Sequence, residues 1–218
     1  MIPTIAEKKR HASPTVTPQA LAWHAGNLWI GSRDLRRIYE VEPETFRIRQ
    51  EFEAPGIPWA AVSNGESIFF NLGEGEDDDR YIWRFVPGKG FADDMRIPCP
   101  EFTGSYLSYD GKHLYLSQWY KHRIVQLEAR GGILRSIHVD AEISGHCYAN
   151  GQIYVLRGTE QEGEHWHIAR LDPREETPTV QDLAHVPFAC RSLTYDSERF
   201  WSNHRAANET ISFTLPHG

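Results

Sequence analysis

The sequence is poor in cysteine, in long apolar runs and in helical spacing of apolar residues. Its three cysteines form no C-x-x-C pair, and an odd number suits a reducing compartment. No apolar run approaches the ~20 residues that a membrane helix requires. The N-terminal segment MIPTIAEKKRHASPTVTPQ lacks the apolar core of a secretory signal. These absences predict a cytoplasmic protein with no membrane partner.

Basic clusters are scarce as well. The formal net charge is −7 at pH 7, and the short run Lys8, Lys9 and Arg10 is too small to follow a phosphate backbone. We therefore expect no nucleic-acid partner. Hydrophobic residues make up 40% of the chain and aromatic residues 12%, which is typical of a folded globular protein and not of a disordered one.

An internal repeat is what the sequence does contain. Short apolar runs are broken by Gly, Asn, Asp and Pro, which is an all-β pattern. Because Gly and Asn tolerate positive φ, their recurrence between two apolar runs predicts tight hairpin turns. Five segments follow this plan of strand, turn and strand: LAWHAGNLWIGS (21–32), AAVSNGESIFFN (60–71), LSYDGKHLYLS (107–117), CYANGQIYVL (147–156) and LTYDSERFWSN (193–203).

Two matched positions define the repeating unit. The second strand carries an aromatic residue in all five units, and the third strand carries an isoleucine. A turn and an outer strand follow, so each unit has four antiparallel strands in roughly 40–45 residues, the size of a propeller blade. The fold class is therefore predicted to be all-β, a five-bladed β-propeller. The two sets are Trp29, Phe69, Tyr115, Tyr154 and Trp201, and Ile38, Ile82, Ile124, Ile168 and Ile211.

The fifth unit ends too early to supply its own outer strand, because only TLPHG follows ETISF (209–213). The N-terminal segment HASPTVT can fill that place, which predicts a ring closed by the N-terminal strand joining the C-terminal blade and leaves no blade without its edge strand. A four-bladed or open array is the alternative. The chain is expected to be one domain, 1–218, with blades at about 20–56, 57–102, 103–142, 143–188, and 189–214 plus 10–17.

The connections fall into two classes. Links between strands one and two, and between three and four, are short turns that emerge on one face. Links between strands two and three, and between successive blades, emerge on the other face and are longer and richer in polar residues. Function tends to reside on loops held by a rigid scaffold. The long-loop face is therefore the predicted site, and the other face is expected to carry turns alone.

Residues that follow the second strands, or lie in the links between blades, should meet at the channel mouth on that face. Four arginines in a protein of net negative charge indicate an anionic ligand, since the guanidinium fork suits carboxylate or phosphate. The alternative is that they pair with the acidic loops GEGEDDD (73–79) and EQEGE (160–164). The candidate ligand-binding residues are Arg33, Trp59, Asn71, Tyr106, Gln118, Arg157, Arg191, Asn203 and Arg205.

Two histidines are candidate catalytic bases, because imidazole titrates near neutrality. His204 follows its strand on a long loop, and His146 comes from an inner strand, where strand parity also fits a core histidine. His165 and His167 alternate on one strand, but no third ligand is identifiable, so no metal site is assigned. The acidic run 74–79 lacks the pattern of a calcium loop and is interpreted as a solvated loop.

The third unit, LYLSQWYKHRIVQLEARGGILRSI (114–137), resembles an NHL-type propeller repeat. The first unit, LWIGSRDLRRIYEVEPET (28–45), is similar to blades of gluconolactonase-like and streptogramin-lyase-like propellers. The resemblance covers most of residues 20–213 and is mainly architectural. It implies axial Glu, Asn and Asp ligands for a divalent cation in the lactonases, for which this sequence offers only Asn71 and Asn203. Five-bladed relatives include glutaminyl cyclotransferases and glycosidases, and glycosidases need paired carboxylates that the inner strands lack.

Three functional hypotheses follow. The first is a small-molecule pocket at the channel mouth, with no predicted cofactor, acting on an anionic or carbonyl-bearing ligand as a metal-independent hydrolase or lyase. The second is a protein–protein interaction scaffold that uses the same face, with Trp59, Trp119 and Tyr120 as anchors. The third, taken from the resemblance, is a divalent-metal-dependent, lactonase-like hydrolase.

Overall fold

A computed structural model of the chain describes residues 2–161 and 163–216. Its regular elements are twenty strands in five sheets and three short 3-10 turns, at Pro100–Phe102, Trp119–Lys121 and Arg205–Ala207. The chain enters through strand β1 (Ala6–Ala12) and then builds the sheets in sequence. In the described part of the chain, no helix is long and apolar enough to span a bilayer.

Each sheet has four antiparallel strands, which follow one another from the inside of the ring outward. The first contains β2 (Pro18–His24), β3 (Asn27–Ser32), β4 (Arg37–Val41) and β5 (Ile48–Glu53). The second contains β6 (Ile57–Ser63), β7 (Ile68–Glu74), β8 (Asp79–Val86) and β9 (Gly90–Pro98). The third contains β10 (Leu107–Tyr109), β11 (Leu114–Gln118), β12 (Arg123–Leu127) and β13 (Ile133–His138).

The fourth sheet contains β14 (Glu142–Ala149), β15 (Gln152–Thr159), β16 (His165–Leu171) and β17 (Gln181–Val186). The fifth contains β18 (Cys190–Tyr195), β19 (Phe200–His204), β20 (Glu209–Thr214) and, as its outer strand, β1. The inner strands contact one another in the cyclic order β2, β6, β10, β14, β18 and back to β2. The fold is therefore the closed five-bladed β-propeller that the repeat predicts.

The closing strand lies nearer the N-terminus than the sequence indicated. The predicted segment was 10–17, whereas β1 pairs with β20 from Ala6 to Ala12. Thr17 has a positive φ of 44°, and such a bend at the end of 13–17 leads the chain into β2 instead of prolonging β1. Ahead of β1, the backbone of residues 3–5 also bonds to His185 of β17. The N-terminal segment therefore ties the fourth sheet to the fifth.

The five aromatic residues of the second strands are buried, and each packs against the next sheet around the ring. The isoleucines of the third strands follow the same rule in four sheets and break it in the fifth. Ile211 is buried against the fourth sheet, on the opposite side from Trp201. The matching position is Thr210, which pairs with Asn203 in register and donates its hydroxyl to that amide at 2.8 Å. The five-isoleucine prediction is therefore wrong by one residue in the fifth sheet.

Candidate functional site

A cavity of about 240 Å³ opens at the channel end where the long loops emerge, and we call it the long-loop mouth. All five sheets contribute to it, through starts of inner or third strands and through links between second and third strands. This convergence follows from the antiparallel order, which brings all those chain segments to the same face. The lining residues are Arg33, Trp59, Arg80, Ser105, Tyr106, Trp119, Tyr120, Glu160, Arg191 and Arg205.

Five of the nine candidate ligand-binding residues line this cavity: Arg33, Trp59, Tyr106, Arg191 and Arg205. Trp119 and Tyr120, proposed as anchors for a protein partner, line it as well. Sequence reasoning missed Arg80, Ser105 and Glu160. A signal for Arg80 existed, because it lies two residues before Ile82, at the end of β8 that returns to the long-loop face.

Asn71, Gln118 and Asn203 do not line the cavity, because their side-chain amides are hydrogen-bonded to other groups inside the protein. Asn71 accepts from the thiol of Cys99 at 3.6 Å, and its own Nδ2 lies 3.5 Å from a backbone carbonyl. The Gln118 amide donates to backbone carbonyls and accepts from Arg123 at 2.7 Å. Asn203 donates to the Gln19 carbonyl at 3.3 Å. Buried amides need such partners, so these three stabilise the links between strands.

Arg157 also lies outside the lining of the long-loop mouth. Its guanidinium makes a two-point contact with Asp182 of β17, at 2.7 and 3.0 Å, and donates to the Val139 carbonyl at 3.0 Å. The hydrogen bond to Asp182 raises the pKa of Arg157. Arg157 is therefore held in an ion pair, which was the alternative to ligand binding. Its partner comes from an outer strand and not from either acidic loop.

Neither candidate histidine lines the cavity. His146 is 1% exposed, and its ring nitrogens contact Ser108 Oγ at 2.8 Å and the Tyr106 carbonyl at 3.0 Å. Burial lowers its pKa to about 4, so the ring is neutral in the folded protein at pH 7. His204 is partly exposed, lies against Phe188, and has Nδ1 3.4 Å from Glu209 Oε2. Both residues occupy places that fit a structural role better than contact with a ligand in this cavity.

Arg191 is the most enclosed guanidinium of the long-loop mouth. It pairs with Glu160 and with Glu164, the latter at 3.2 Å, and donates to the Cys190 carbonyl at 2.7 Å. The rings of Trp119 and Trp166 lie 5.9 and 5.5 Å from it. Burial alone would lower its pKa, but the nearby Tyr106 and the two carboxylates outweigh that effect and raise it. The ion-pair alternative therefore holds here, through the acidic loop 160–164.

Two other arginines are paired in the same way. Arg80 donates to a carboxylate oxygen of Asp78 at 2.6 Å and to two backbone carbonyls, and its guanidinium stacks 4.1 Å from the centre of the Trp59 ring. Burial lowers the pKa of Arg80. Arg33, at the rim, pairs with its neighbour Asp34 at 2.9 Å. Each of these charges already has a carboxylate partner.

Arg205 is different. Its hydrogen bond goes to a neutral amide, from Nη1 to Gln19 Oε1 at 2.5 Å, and no ion pair of Arg205 occurs within residues 2–161 and 163–216. Burial and the positive charge of Arg191 lower its pKa. An arginine has five N–H donors, and a single protein acceptor leaves four of them available. Arg205 is therefore the lining arginine whose one hydrogen-bond partner in the described part of the chain carries no negative charge.

Tyr106 completes this part of the cavity. Its side chain is almost fully buried, and its hydroxyl oxygen accepts from Gln19 Nε2 at 3.3 Å. Burial raises the pKa of the phenol, which is therefore protonated at neutral pH. A protonated hydroxyl that already accepts one bond still has its own proton to donate. The region around Arg205 thus offers donors from two residues.

The opposite face carries more than the turns that the sequence predicted. An apolar cavity of about 380 Å³ lies there between the second and third sheets, with Phe69, Ile82, Ile97, Leu114 and Leu127 among its walls. It is larger than the long-loop mouth, but few polar groups converge on it. A pocket that binds a specific ligand combines apolar walls with placed polar groups. The long-loop mouth meets that description better.

Metal chemistry finds little support in the described residues. No group of three or more His, Cys, Asp or Glu side chains there is arranged to hold a metal ion. The two asparagines that the lactonase resemblance offered as axial ligands, Asn71 and Asn203, are fully buried and bonded to protein groups. This donor set does not fit the Glu, Asn and Asp ligands that the resemblance implies.

No protein-family model matches the chain, and neither does any curated protein sequence. Solved structures do match. The glutaminyl cyclase of Myxococcus xanthus has a TM-score of 0.74 at 13% identity, over 98% of this chain and 97% of that one. The Pan2 WD40 domain of Neurospora crassa has 0.60 at 10%, over 100% and 98%. A streptogramin B lyase has 0.55 at 14%, over 94% and 67%. These likenesses confirm the propeller resemblance and show the fold alone.

Proposed function

We propose that the long-loop mouth binds a small anionic molecule, with Arg205 as its principal contact. The observation that carries this proposal is the contrast among the lining arginines. Arg33, Arg80 and Arg191 each pair with carboxylates, whereas Arg205 has a neutral amide as its hydrogen-bond partner. A partly buried cation with no carboxylate hydrogen-bonded to it is costly, and an anionic ligand bound to Arg205 would reduce that cost.

Size and shape support a small ligand. Pockets for drug-sized molecules occupy about 300–1,000 Å³, and this cavity has a volume of about 240 Å³. The rings of Trp59, Tyr106 and Trp119 supply apolar walls beside the arginines. Aromatic walls with a few fixed polar groups are typical of sites for small metabolites.

The function proposed for the long-loop mouth is ligand binding. Any reaction there would have to use side chains that line the cavity. His146 is neutral and enclosed, and His204 lies outside the cavity lining. We therefore assign neither residue as the base of a hydrolase or lyase at this site. Glu160 is the one carboxylate among the described lining residues. If the mouth also performs a reaction, Glu160 and the Tyr106 hydroxyl are the groups placed to move a proton.

Glutaminyl cyclase shares the fold at a TM-score of 0.74, so glutaminyl peptides belong in a ligand screen. The charge of the site argues against them. An amino terminus is cationic, and the cavity is lined by four arginines and one glutamate. We therefore expect small anions to bind more tightly than such peptides.

The test is a binding titration with a panel of small anions, including benzoate and inorganic phosphate, followed by tryptophan fluorescence and calorimetry. Arg205→Met should weaken binding by about ten- to a hundredfold, because a charge-assisted hydrogen bond contributes about 1.5–3 kcal/mol. Arg157→Met removes an arginine outside the cavity and is the matched control, which should bind like the parent. Equal binding by all three proteins, or no binding of any anion, would refute the proposal.

A protein partner is the second candidate, and one observation favours it. Tyr120 is 91% exposed at the rim of the mouth, which is unusual for a large aromatic side chain and is typical of an interface anchor. Under this alternative, small anions would not bind to the free protein. Tyr120→Ser would then abolish partner binding, whereas under the first proposal it changes anion affinity by less than about twofold, since rim contacts contribute little.

A further inference from the structure

One buried amide holds the long-loop mouth together. Gln19, the second residue of β2, is 1% exposed. Its Nε2 donates to the Trp59 carbonyl at 3.1 Å and to the Tyr106 hydroxyl at 3.3 Å, and its Oε1 accepts from Arg205 at 2.5 Å. These partners lie 40, 87 and 186 residues away in the sequence and come from three other sheets. Gln19 therefore links four of the five sheets through three residues that line the cavity.

The orientation of this amide follows from its partners. Arginine has no acceptor, so the oxygen of Gln19 must face Arg205. The Trp59 carbonyl has no donor, so the amide nitrogen must face Trp59 and, with it, Tyr106. The hydroxyl of Tyr106 consequently accepts from Gln19, and its own proton is left for another acceptor.

Two residues that line the cavity, Arg205 and Tyr106, then keep hydrogen-bond donors that the Gln19 amide does not use. Arg205 offers N–H groups and Tyr106 offers an O–H, both held by the same amide. A ligand group that only accepts hydrogen bonds satisfies both. A neutral amide oxygen can also accept from both groups, but it lacks the negative charge that pairs with Arg205, and its NH2 group adds donors that neither residue can accept.

Resting on the proposed function, we infer that the ligand is a monocarboxylate on a flat apolar body, and that Gln19 is the positioning residue that selects it. One guanidinium lacks a carboxylate partner, which matches a single negative charge. A phosphate dianion would bring a second charge toward Glu160, which already lines the cavity. The planar arginine fork fits a carboxylate, and the rings of Trp59 and Trp119 fit a flat body.

The test compares benzoate with benzamide, which have nearly the same shape but differ in charge and in hydrogen-bond character. The parent protein should bind benzoate at least about tenfold more tightly than benzamide, because one charge-assisted contact is lost in the amide. Inorganic phosphate is the third probe. Each affinity is measured by quenching of tryptophan fluorescence, with thermal melting to check the fold.

Gln19→Glu is the decisive variant. It keeps the size of the side chain but places a carboxylate against Arg205, which then has an internal counter-ion. Benzoate affinity should fall by about tenfold or more while benzamide affinity stays within about threefold, so the benzoate-to-benzamide ratio collapses. Gln19→Met, which removes the bonds but adds no charge, should lower benzoate affinity yet keep a ratio above about threefold. A change of packing alone would not separate the two variants.

Tyr106→Phe tests the same arrangement if Gln19→Glu fails to fold. Loss of the hydroxyl donor should weaken benzoate by about three- to tenfold and benzamide by less, because a hydrogen bond to a charged acceptor is stronger than one to a neutral acceptor. An unchanged ratio in both Gln19→Glu and Tyr106→Phe would overturn the role of Gln19. If the parent protein binds phosphate but not benzoate, and Arg205→Met abolishes phosphate binding, the carboxylate assignment is wrong and the proposed function stands. If no anion binds, or Arg205→Met has no effect, both fall.

Discussion

The two ends of the central channel are built from the same five inner strands and differ in almost every chemical respect. The long-loop mouth has four arginines and a glutamate around a cavity of about 240 Å³. The opposite end, which we call the short-turn mouth, has a cavity of about 110 Å³ and no charged lining residue in the described chain. Its lining is Trp23, Ala61, Val62, Ser63, Leu107, Tyr109, Cys147, Tyr148, Leu193, Thr194 and Tyr195.

The turns explain much of this difference. At the short-turn end, polar side chains satisfy the turns themselves. Asp110 accepts from two backbone N–H groups at 2.7 Å, and Asp196 does the same at 2.8 and 2.6 Å. The longer links at the other end place Arg33, Trp119, Tyr120, Glu160 and Arg205 around the cavity. A ring of nearly equivalent strands thus acquires one chemically distinct end through loop length.

The largest expected effect concerns access to the short-turn mouth. Cys147 lines it, and burial raises the pKa of this thiol, as it raises the pKa values of Cys99 and Cys190 to about 12. The native protein should therefore react with a thiol reagent at pH 8 about a thousandfold more slowly than free cysteine, because the thiolate is the reactive form. All three thiols should react in guanidinium chloride. Rapid modification of Cys147 in the native protein, located by peptide mapping, would show that the short-turn mouth is open.

The next effect concerns His146, which lies between the two mouths. Its pKa is about 4 when folded and ordinarily 6.5, so the unfolded chain takes up a proton between pH 6.5 and pH 4 and the folded chain does not. The free energy of unfolding should therefore fall by up to about 3 kcal/mol as the pH drops through that window. Urea unfolding at pH 7 and pH 4.5 measures the fall.

His146→Gln separates this contribution from those of other groups. Glutamine can still bond to Ser108 and to the Tyr106 carbonyl but does not titrate. The variant should lose less free energy of unfolding between pH 7 and pH 4.5 than the parent does, by about 2–3 kcal/mol. An identical pH dependence in both proteins would mean that His146 is not enclosed as the structure shows.

A smaller effect should come from Glu160 at the long-loop mouth. Its carboxylate pairs with Arg191 and is partly exposed, so solvent screens its influence. Glu160→Gln removes the lining carboxylate and should raise benzoate affinity by about two- to fivefold, measured by fluorescence titration. A loss of affinity would instead indicate that Glu160 contacts the ligand directly.

The smallest effect is expected at the short-turn mouth. Tyr195 donates its hydroxyl to the Ser197 carbonyl at 3.0 Å. Tyr195→Phe should cost about 0.5–1 kcal/mol of unfolding free energy, because a single hydrogen bond is lost. Its benzoate affinity should equal that of the parent. A clear change in affinity would erase the chemical distinction between the two ends.

The fold was accessible from the sequence because its determinants are local. Hairpin turns, aromatic positions and unit length all repeat within about 45 residues. The one misplaced member, Ile211, failed because a shift of one residue moves a strand side chain to the opposite side of its sheet. Strand alternation also explains Asn71 and Asn203. Each lies two residues after its aromatic residue, so its side chain is on the same side of the sheet as that buried ring and not in the cavity.

The site could be predicted from the sequence only in part, because Gln19 acts through contacts between segments that are distant in the chain. Arg33, Arg191 and Arg205 could be predicted from loop position and charge. Gln19 could not, since a single glutamine at the start of a strand has no distinguishing local pattern. Its importance arises from partners in three other sheets, which only the closed ring brings together.

The location of a bound anion tests the central claim most directly. A crystal structure with 4-bromobenzoate, in which the anomalous signal of bromine marks the ligand, distinguishes the two ends of the molecule. We expect the compound in the long-loop mouth, with its carboxylate within hydrogen-bond distance of Arg205 and Tyr106. Binding confined to the apolar cavity between the second and third sheets, or to the short-turn mouth, would contradict the account.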